Sequence, residues 1–217
     1  MSLPAAYLAI ILIWSTTPLA IQWSTEGTGF AFAVLARMVI GALVAGLLVL
    51  AWRDGFPLHA RARRAYVSGG LGLFGAMALT YWGARYVNSG LVAVLFGLSP
   101  LFTATLAAVF LGERALTPAR IAGTLLGVTG LGVIFMHGDG LGGEHALAGL
   151  VALLAAVLVY SGSLVSLKHI GDDSPPLATT VGTLTVSLPF FALLWLLSDG
   201  QIPVAIPPRA GAAIVYL

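Results

Sequence analysis

The sequence predicts an all-α protein, a polytopic bundle of transmembrane helices arranged as two inverted five-helix repeats. Three observations predict this fold: the composition, the spacing of long apolar runs, and a similarity between the first and the sixth run. Hydrophobic residues make up 59% of the 217 residues and charged residues only 8%, whereas a soluble domain averages about 25% charged residues. The mean hydropathy is +1.01. We therefore expect an integral membrane protein in contact with the lipid bilayer.

The charge and the cysteine content exclude several classes of function. The formal net charge is only +2 and comes from loop arginines rather than from a basic face, so no nucleic-acid partner is predicted. The sequence has no cysteine, which excludes disulfides, thiolate metal sites and cysteine catalysis. Every Asp and Glu lies in a loop or at the end of an apolar run, so no buried carboxylate pair is available for hydrolysis. The sequence predicts no enzyme, no metal site and no cofactor.

Seven apolar runs are long enough to cross a bilayer, because about 20 helical residues span the roughly 30 Å of hydrocarbon. The predicted spans are Pro4–Gln22, Phe30–Trp52, Tyr66–Ala84, Leu91–Leu111, Ala119–Met136, Leu147–Leu167 and Leu177–Leu197. A further apolar run, Arg209–Leu217, is too short to cross and predicts the start of an eighth span. The first run has no basic stretch before it and is too long for the core of a signal peptide, so we expect it to remain as a span.

Lysine and arginine are shared unevenly between the two ends of these spans. If successive spans alternate in direction, seven basic residues fall at one end of the bundle: Arg53, Arg61, Arg63, Arg64, Arg114, Arg120 and Lys168. Only Arg85 and Arg209 fall at the other end. Because the side richer in Lys and Arg stays in the cytoplasm, we expect a multi-pass protein of the inner (plasma) membrane with a cytoplasmic N-terminus.

The first and sixth spans resemble each other. Trp14, Ser15 and Thr16 in span one align with Tyr160 and Ser161 and their small neighbours in span six, so both spans carry an aromatic residue followed by small hydroxyl residues. Five spans, an odd number, separate the two copies, so the second copy inserts with opposite polarity. Inverted repeats are typical of secondary transporters, whose substrate site lies at the repeat interface near the middle of the membrane. We place the first repeat at 1–137 and an incomplete second repeat at 145–217.

Two prolines interrupt predicted spans. Pro100 lies near the middle of span four and cannot donate to the carbonyl of Phe96, so we expect a weakened helix there. A break inside lipid is tolerated only where it faces protein or a wet cavity, which predicts a hinge. Pro18 in span one has two readings: a discontinuity at the cavity, or an ordinary kink that neighbouring hydroxyl groups satisfy.

Several short motifs occur in a fixed order. They are Trp14 and Ser15, Leu35 to Arg37, Ala78 to Tyr81, Ser99 to Ala104, Leu111 to Arg114, and Thr117 to Gly123. On these motifs the chain resembles the EamA-type family of the drug/metabolite transporter superfamily. The resemblance implies ten helices in two inverted repeats around a central cavity, and movement of small metabolites by alternating access. Here about seven complete spans and the start of an eighth are present, and the second Gly-Glu signature, expected after a ninth helix, is absent.

Arg37 is the charge that lies deepest in a predicted span. Helical rise places it about 10 Å from the nearer end of span two, where a central charge costs at least ~2.5 kcal/mol. One reading is a cavity arginine that attracts a carboxylate or a phosphate. The other is a guanidinium satisfied by carbonyls and hydroxyls of neighbouring helices.

The remaining candidate residues are aromatic, hydroxyl-bearing or at span ends. We predict a substrate site formed by Trp14, Ser15, Thr16, Arg37, Tyr81, Tyr160 and Ser161, with Tyr81 having an interfacial role as its alternative. We predict a hinge or gate formed by Pro18, Pro100, Glu113 and Arg114, with a salt-bridged helix end as the alternative for the last two. Glycines at spacings of three and four predict close helix packing; they are Gly69, Gly70, Gly72, Gly75, Gly123, Gly127 and Gly130.

Together these features favour a secondary transporter that exports or exchanges small metabolites, amino-acid-like or organic anions, by alternating access. The alternative is a membrane scaffold or half-size assembly partner that does not itself transport. A small-molecule substrate is the predicted partner, and assembly into a homo-oligomer is left open.

Overall fold

The structure, a computed structural model, describes residues 3–52, 55–113, 117–137, 144–198 and 200–217. Within those residues the regular structure is entirely helical. The helices are α1 (Leu3–Ser24), α2 (Phe30–Trp52), α3 (Ala60–Gly83), α4 (Ser89–Gly97), α5 (Ser99–Leu111), α6 (Pro118–His137), α7 (Ala146–Ile170), α8 (Pro176–Ser198) and α9 (Pro208–Tyr216). The fold class predicted from the sequence is confirmed at this level: an all-helical bundle.

Four segments of the described chain are long and apolar enough to cross a membrane. They are Phe30–Trp52, Ser89–Leu111, Ala146–Ile170 and Pro176–Ser198. These correspond to predicted spans two, four, six and seven, whereas the other three spans and the inverted relation of the repeats stay predictions. α3 is as long as these segments, but it begins among arginines and its middle is rich in glycine, which lowers its apolar character.

The fourth predicted span is interrupted where Pro100 removes a backbone donor. α4 ends at Gly97 and α5 begins at Ser99, with Leu98 between them. Leu98 keeps right-handed helical angles (φ −81°, ψ −10°), so the interruption is local and the two helices form one segment. α5 then ends at Leu111, as predicted, because Gly112 adopts a left-handed conformation with φ +66° that glycine tolerates without a steric penalty.

α3 lies at the centre of the bundle and packs along both α7 and α8. Its glycines make this possible. A Cβ atom built on Gly70 would lie 2.6 Å from Val186 Cγ1 and 3.0 Å from the carbonyl oxygen of Thr183, both on α8. One built on Gly72 would overlap Ser163 of α7. The predicted packing role is thus confirmed for α3, whereas a Cβ on Gly123 or Gly130 of α6 would meet no described atom within 4 Å.

A buried hydrophobic cluster joins α1, α2, α3, α4, α7 and α8. Its members include Val34, Tyr81, Leu95, Leu153 and Phe191, each with no exposed surface. Phe74 of α3 adds an edge-to-face contact with Phe191, with 5.1 Å between ring centroids. This cluster draws residues from both predicted repeats, so the two halves of the sequence share one core.

Three charged contacts each join two residues that the alternation of spans places at the same end of the bundle. Lys168 Nζ lies 2.7 Å from Glu113 Oε1, and His59 Nε2 lies 3.6 Å from Asp172 Oδ1. At the opposite end Arg209 Nη1 lies 3.9 Å from Glu26 Oε2. These contacts agree with spans that alternate in direction; which end faces the cytoplasm stays a prediction.

We expect Gly70→Ala to destabilise the bundle, because the added methyl group meets Val186 and the Thr183 backbone at distances that real Cβ atoms do not adopt. Overpacking of this kind costs about 1–3 kcal/mol. The measurement is the melting temperature of the purified protein in detergent. Gly46→Ala on α2 is the matched control, since a Cβ there meets nothing within 4 Å; an equal loss in both variants would contradict the packing role of Gly70.

Candidate functional site

The break in the fourth span is where predicted site residues from the two repeats meet. Ser161 of α7 is fully buried, and its Oγ donates a hydrogen bond of 3.2 Å to the carbonyl oxygen of Ser99. The adjacent Tyr160 is half-buried, with its ring centroid 6.3 Å from that of Phe96 on α4. A side chain of span six therefore contacts the backbone next to Pro100. We call Phe96, Ser99, Pro100, Tyr160 and Ser161 the seam cluster.

A recess of about 230 Å³ opens beside the same break. It is lined by Leu98, Pro100, Leu101 and Ala104 on one side and by Gly123 and Gly127 of α6 on the other, together with Gly97. The lining is almost entirely apolar, and two glycines of α6 leave the space open. The backbone irregularity thus borders this recess, and the predicted hinge at Pro100 stays a prediction.

Arg37 is half-buried on α2 and is poorly satisfied. In the described part of the chain its guanidinium donates only to the thioether sulfur of Met77, across 3.9 Å. A thioether is a weak acceptor, and a guanidinium carries five N–H donors. The alternative in which neighbouring carbonyls and hydroxyls satisfy this side chain is therefore not seen among the described residues. Most of the donors of Arg37 remain available for another acceptor.

The predicted site residues of span one lie apart from the seam cluster. Trp14 is 54% exposed on α1, and Ser15 and Thr16 donate to the carbonyl of Leu12 at 2.9 and 2.8 Å. Thr16 also forms a 2.5 Å hydrogen bond with the hydroxyl of Tyr216 on α9. Thr16 therefore borders α9, whereas Trp14 and Ser15 are exposed on α1.

α1 runs unbroken through Pro18, which is buried. Neighbouring hydroxyls bond back to the helix backbone: Thr17 donates to the carbonyl of Ile13 at 2.7 Å. An unbroken helix agrees with the second of the two readings, an ordinary proline within a membrane helix, although this hydroxyl bonds Ile13 and not the Trp14 carbonyl that lacks its donor. The discontinuity given as the other reading is absent from α1.

Tyr81 occupies the core rather than a recess. Its side chain is fully buried, and its hydroxyl has no hydrogen-bond partner in the described part of the structure. An orphaned buried hydroxyl costs about 1–3 kcal/mol, so a partner for it is expected. The interfacial role that was the alternative for Tyr81 does not fit a side chain with no exposed surface.

At the opposite end of α5, Glu113 pairs with Lys168 of α7 rather than with the next residue in its own motif. Arg114, which the sequence predicted beside it in the gate, lies outside the described residues. A recess of about 390 Å³ adjoins this ion pair and is lined by Phe110, Gly162, Ser166 and His169, among others. The Glu113–Lys168 pair connects the ends of the two helices that form its walls, α5 and α7.

Two residues of interest were missed by the sequence reasoning. Arg85 was counted only as a charge at one end, but it lines a recess of about 610 Å³. Asp172 was treated as a loop residue, but its side chain is only 5% exposed and neither carboxylate oxygen has a hydrogen-bond partner among the described residues. No local signal in the sequence distinguishes either residue from its exposed neighbours.

The predicted substrate-binding residues are therefore not gathered in one pocket. Tyr160 and Ser161 lie at the seam cluster, Arg37 lies against α3, Thr16 contacts α9, and Trp14 and Ser15 are exposed on α1. What the arrangement offers chemically is hydrogen bonding, aromatic contact and a guanidinium. Among the described residues there is no group of three or more His, Cys, Asp or Glu side chains that could hold a metal ion.

Two curated relatives are similar to this chain, and one of them is named as an exporter. The chain is 32% identical over 159 residues to a probable terminal-alkyne amino-acid exporter of Streptantibioticus cattleyicolor, a match that covers 70% of this chain and 50% of that protein. It is 28% identical over 170 residues to the protein PagO of Salmonella typhimurium, covering 74% and 53% of the two chains. The chain spans about half the length of these curated relatives.

The fold also has a counterpart among solved structures. One crystal structure superposes with a TM-score of 0.63 at 25% sequence identity, covering 94% of this chain and 73% of the other. Finally, the model of the EamA-like transporter family matches residues 3–136, which contain α1 to α5 and nearly all of α6. This match takes in well over half of the chain, and the resemblance read from the motifs is confirmed: the protein belongs to the EamA-like transporter family.

Proposed function

We propose that this protein is a secondary transporter that exports or exchanges small amino-acid-like metabolites or organic anions across the inner membrane. Its two inverted repeats move against each other in alternating access, and the N-terminus faces the cytoplasm. The family supports transport as the general activity, whereas the substrate, the mechanism and the orientation are ours to propose. The name of the Streptantibioticus relative supports an amino acid as the substrate class.

The observation that carries this proposal is the hydrogen bond from Ser161 to the carbonyl of Ser99. It connects the sixth span to the backbone of the fourth span, directly before Pro100. A moving part of a transporter needs a flexible point in its backbone. A proline break that a buried serine from the other repeat stabilises meets that requirement, because small displacements of α7 remake or release this one contact.

Each predicted residue has a role in this proposal. The guanidinium of Arg37 attracts the anionic group of the substrate, since most of its donors have no acceptor among the described residues. Tyr160 forms an apolar wall and Ser161 donates a hydrogen bond to whichever acceptor faces it. Trp14, Ser15 and Thr16 contribute once the first span moves, and Tyr81 supplies a hydroxyl that has no hydrogen-bond partner among the described residues.

We expect the purified protein in liposomes to catalyse saturable counterflow of an amino acid. The probes are L-propargylglycine, its saturated analogue L-norvaline, and pent-4-ynoate, which lacks the amino group. Arg37→Ala is expected to lower kcat/KM for all three at least tenfold, because the carboxylate loses its cation, and Trp14→Ala is expected to lower it several-fold. Initial rates of labelled-substrate uptake provide the measurement.

The control for charge removal is Arg64→Ala, since Arg64 is exposed at the start of α3; it is expected to retain the wild-type rate. Helical circular dichroism and melting temperature establish that each variant folds. Absence of saturable counterflow with every probe would overturn the transport proposal in favour of the non-transporting scaffold. Equal losses in Arg37→Ala and Arg64→Ala would remove Arg37 from the site.

We also propose that the Glu113–Lys168 pair keeps the adjoining recess closed at its end of the bundle. Both side chains are substantially exposed, so the pair contributes only about 0–1 kcal/mol to stability. That small value suits a contact that must break in every cycle. Exposure therefore makes the pair a weak structural element and an easily released latch.

Charge reversal tests the latch. Because the chain has no cysteine, a single Gly162→Cys reports on the recess, and a Cβ at Gly162 meets nothing within 4 Å. We expect Glu113→Lys and Lys168→Glu each to accelerate maleimide labelling of this cysteine several-fold, and the double reversal to restore the slow rate. Unchanged labelling in both single variants, or no restoration in the double, would contradict the latch.

A further inference from the structure

We propose that the recess around Arg85 binds a small molecule that carries a carboxylate on an apolar or aromatic body. The recess has a volume of about 610 Å³ and lies at the ends of α1, α2 and α3 that are opposite to Glu113 and Lys168. That volume is in the range of sites for small ligands. Arg85 is the one cation in its wall among the described residues.

The guanidinium of Arg85 retains most of its hydrogen-bonding capacity. Its Nε donates to the carbonyl of Trp82 across 3.4 Å, and Nη2 donates to the hydroxyl of Tyr86 across 3.2 Å. A guanidinium has five N–H donors, so three are unused by the described residues. A carboxylate needs two parallel N–H groups for bidentate binding, and these remain available.

Aromatic rings hold the guanidinium in place. The Cζ atom of Arg85 lies 4.4 Å from the ring centroid of Phe30, 5.1 Å from that of Tyr86 and 5.8 Å from that of Trp82. A cation above a ring face is attracted by the π system and leaves its in-plane N–H groups free. The rings therefore restrict the orientation of Arg85 and add apolar surface for the body of a ligand.

The backbone that carries Arg85 is also fixed. Gln22 of α1 donates through Nε2 to the carbonyls of Ala84 and Val87, at 3.2 and 2.7 Å. These two carbonyls flank Arg85 in the turn between α3 and α4. A preformed site loses less entropy on binding than a mobile one, so this support favours binding by Arg85.

Arg209, at the same end of the bundle, is an arginine whose charge is paired with a carboxylate. It also lies over an aromatic ring, 4.1 Å from the centroid of Trp23, but it has an ion-pair partner, Glu26, at 3.9 Å. None of the ion pairs between described residues includes Arg85. Arg85 is exposed to solvent, and no carboxylate in the described part of the chain pairs with it, so its guanidinium is open to an exogenous carboxylate.

This inference concerns equilibrium binding and does not depend on transport, so it can fail while the proposed function holds, and the reverse. The probe is sodium 4-fluorobenzoate, titrated into the full chain in lipid nanodiscs and observed by ¹⁹F NMR line broadening, with empty nanodiscs subtracted. Neutral 4-fluorobenzamide has the same ring and lacks the charge. We expect saturable broadening for the benzoate and only linear partitioning for the benzamide.

Substitutions locate the site. Arg85→Gln is expected to weaken benzoate binding at least tenfold, and Arg85→Lys several-fold, because an ammonium keeps the charge and loses the planar pair of donors. Arg209→Gln is the matched control and is expected to bind as the wild type does. Melting temperatures verify that the variants are folded.

Three results would overturn the proposal. The first is the absence of saturable benzoate binding to the wild type, and the second is an equal loss in Arg85→Gln and Arg209→Gln. The third concerns Asp199, which follows the wall residue Ser198 in the sequence and lies outside the described residues. If benzoate bound only to Asp199→Asn, the charge of Arg85 would already be neutralised by the protein itself.

Discussion

The close approach of α3 to α7 and α8 is the constraint on which the rest of this bundle depends. Helices in lipid gain little from the hydrophobic effect when they associate, so they rely on packing at short range and on internal hydrogen bonds. A Cβ atom on Gly83 would lie 2.9 Å from the carbonyl oxygen of Gly149, so the backbones of α3 and α7 are nearly in contact. The position of α7 follows from this contact, and α7 in turn carries Ser161 to the broken span and Lys168 to Glu113.

Each proline inside a membrane helix removes one backbone donor, and the surroundings of the two prolines differ. Pro100 leaves the carbonyl of Phe96 without its usual donor, and beside this break Ser161, 62 positions away, donates to the carbonyl of Ser99. Near Pro18 the hydroxyls bond locally, as from Thr17 to the carbonyl of Ile13, and the first span stays continuous. Only the bond from Ser161 connects the two predicted repeats.

The parts of this structure that depend on local sequence could be predicted from it. Phe30–Trp52 matches its predicted span, and the end of α5 at Leu111 follows from Gly112. α3 begins at Ala60 rather than at Tyr66, where the predicted span begins. His59 caps the helix there, since its Nδ1 accepts a hydrogen bond from the amide of Ala62. A helix can thus extend beyond the apolar run from which the span was predicted. The pairing of Glu113 with Lys168, the rings around Arg85 and the burial of Asp172 are tertiary contacts that no local pattern encodes.

Three arginines lie away from the Lys- and Arg-rich end of the predicted spans. They differ in the acceptors that their N–H groups contact. Arg209 has a carboxylate, Arg37 has a weak sulfur acceptor, and Arg85 has two oxygen acceptors with no charge. A structural role is sufficient to explain Arg209, because its charge is compensated and its ring contact orients the pair. It is not sufficient for Arg37, since a half-buried cation in a predicted span without a compensating anion costs free energy. Arg85 is exposed, so water solvates its charge; the reason to look for a ligand there is its free N–H donors and the aromatic rings that surround it.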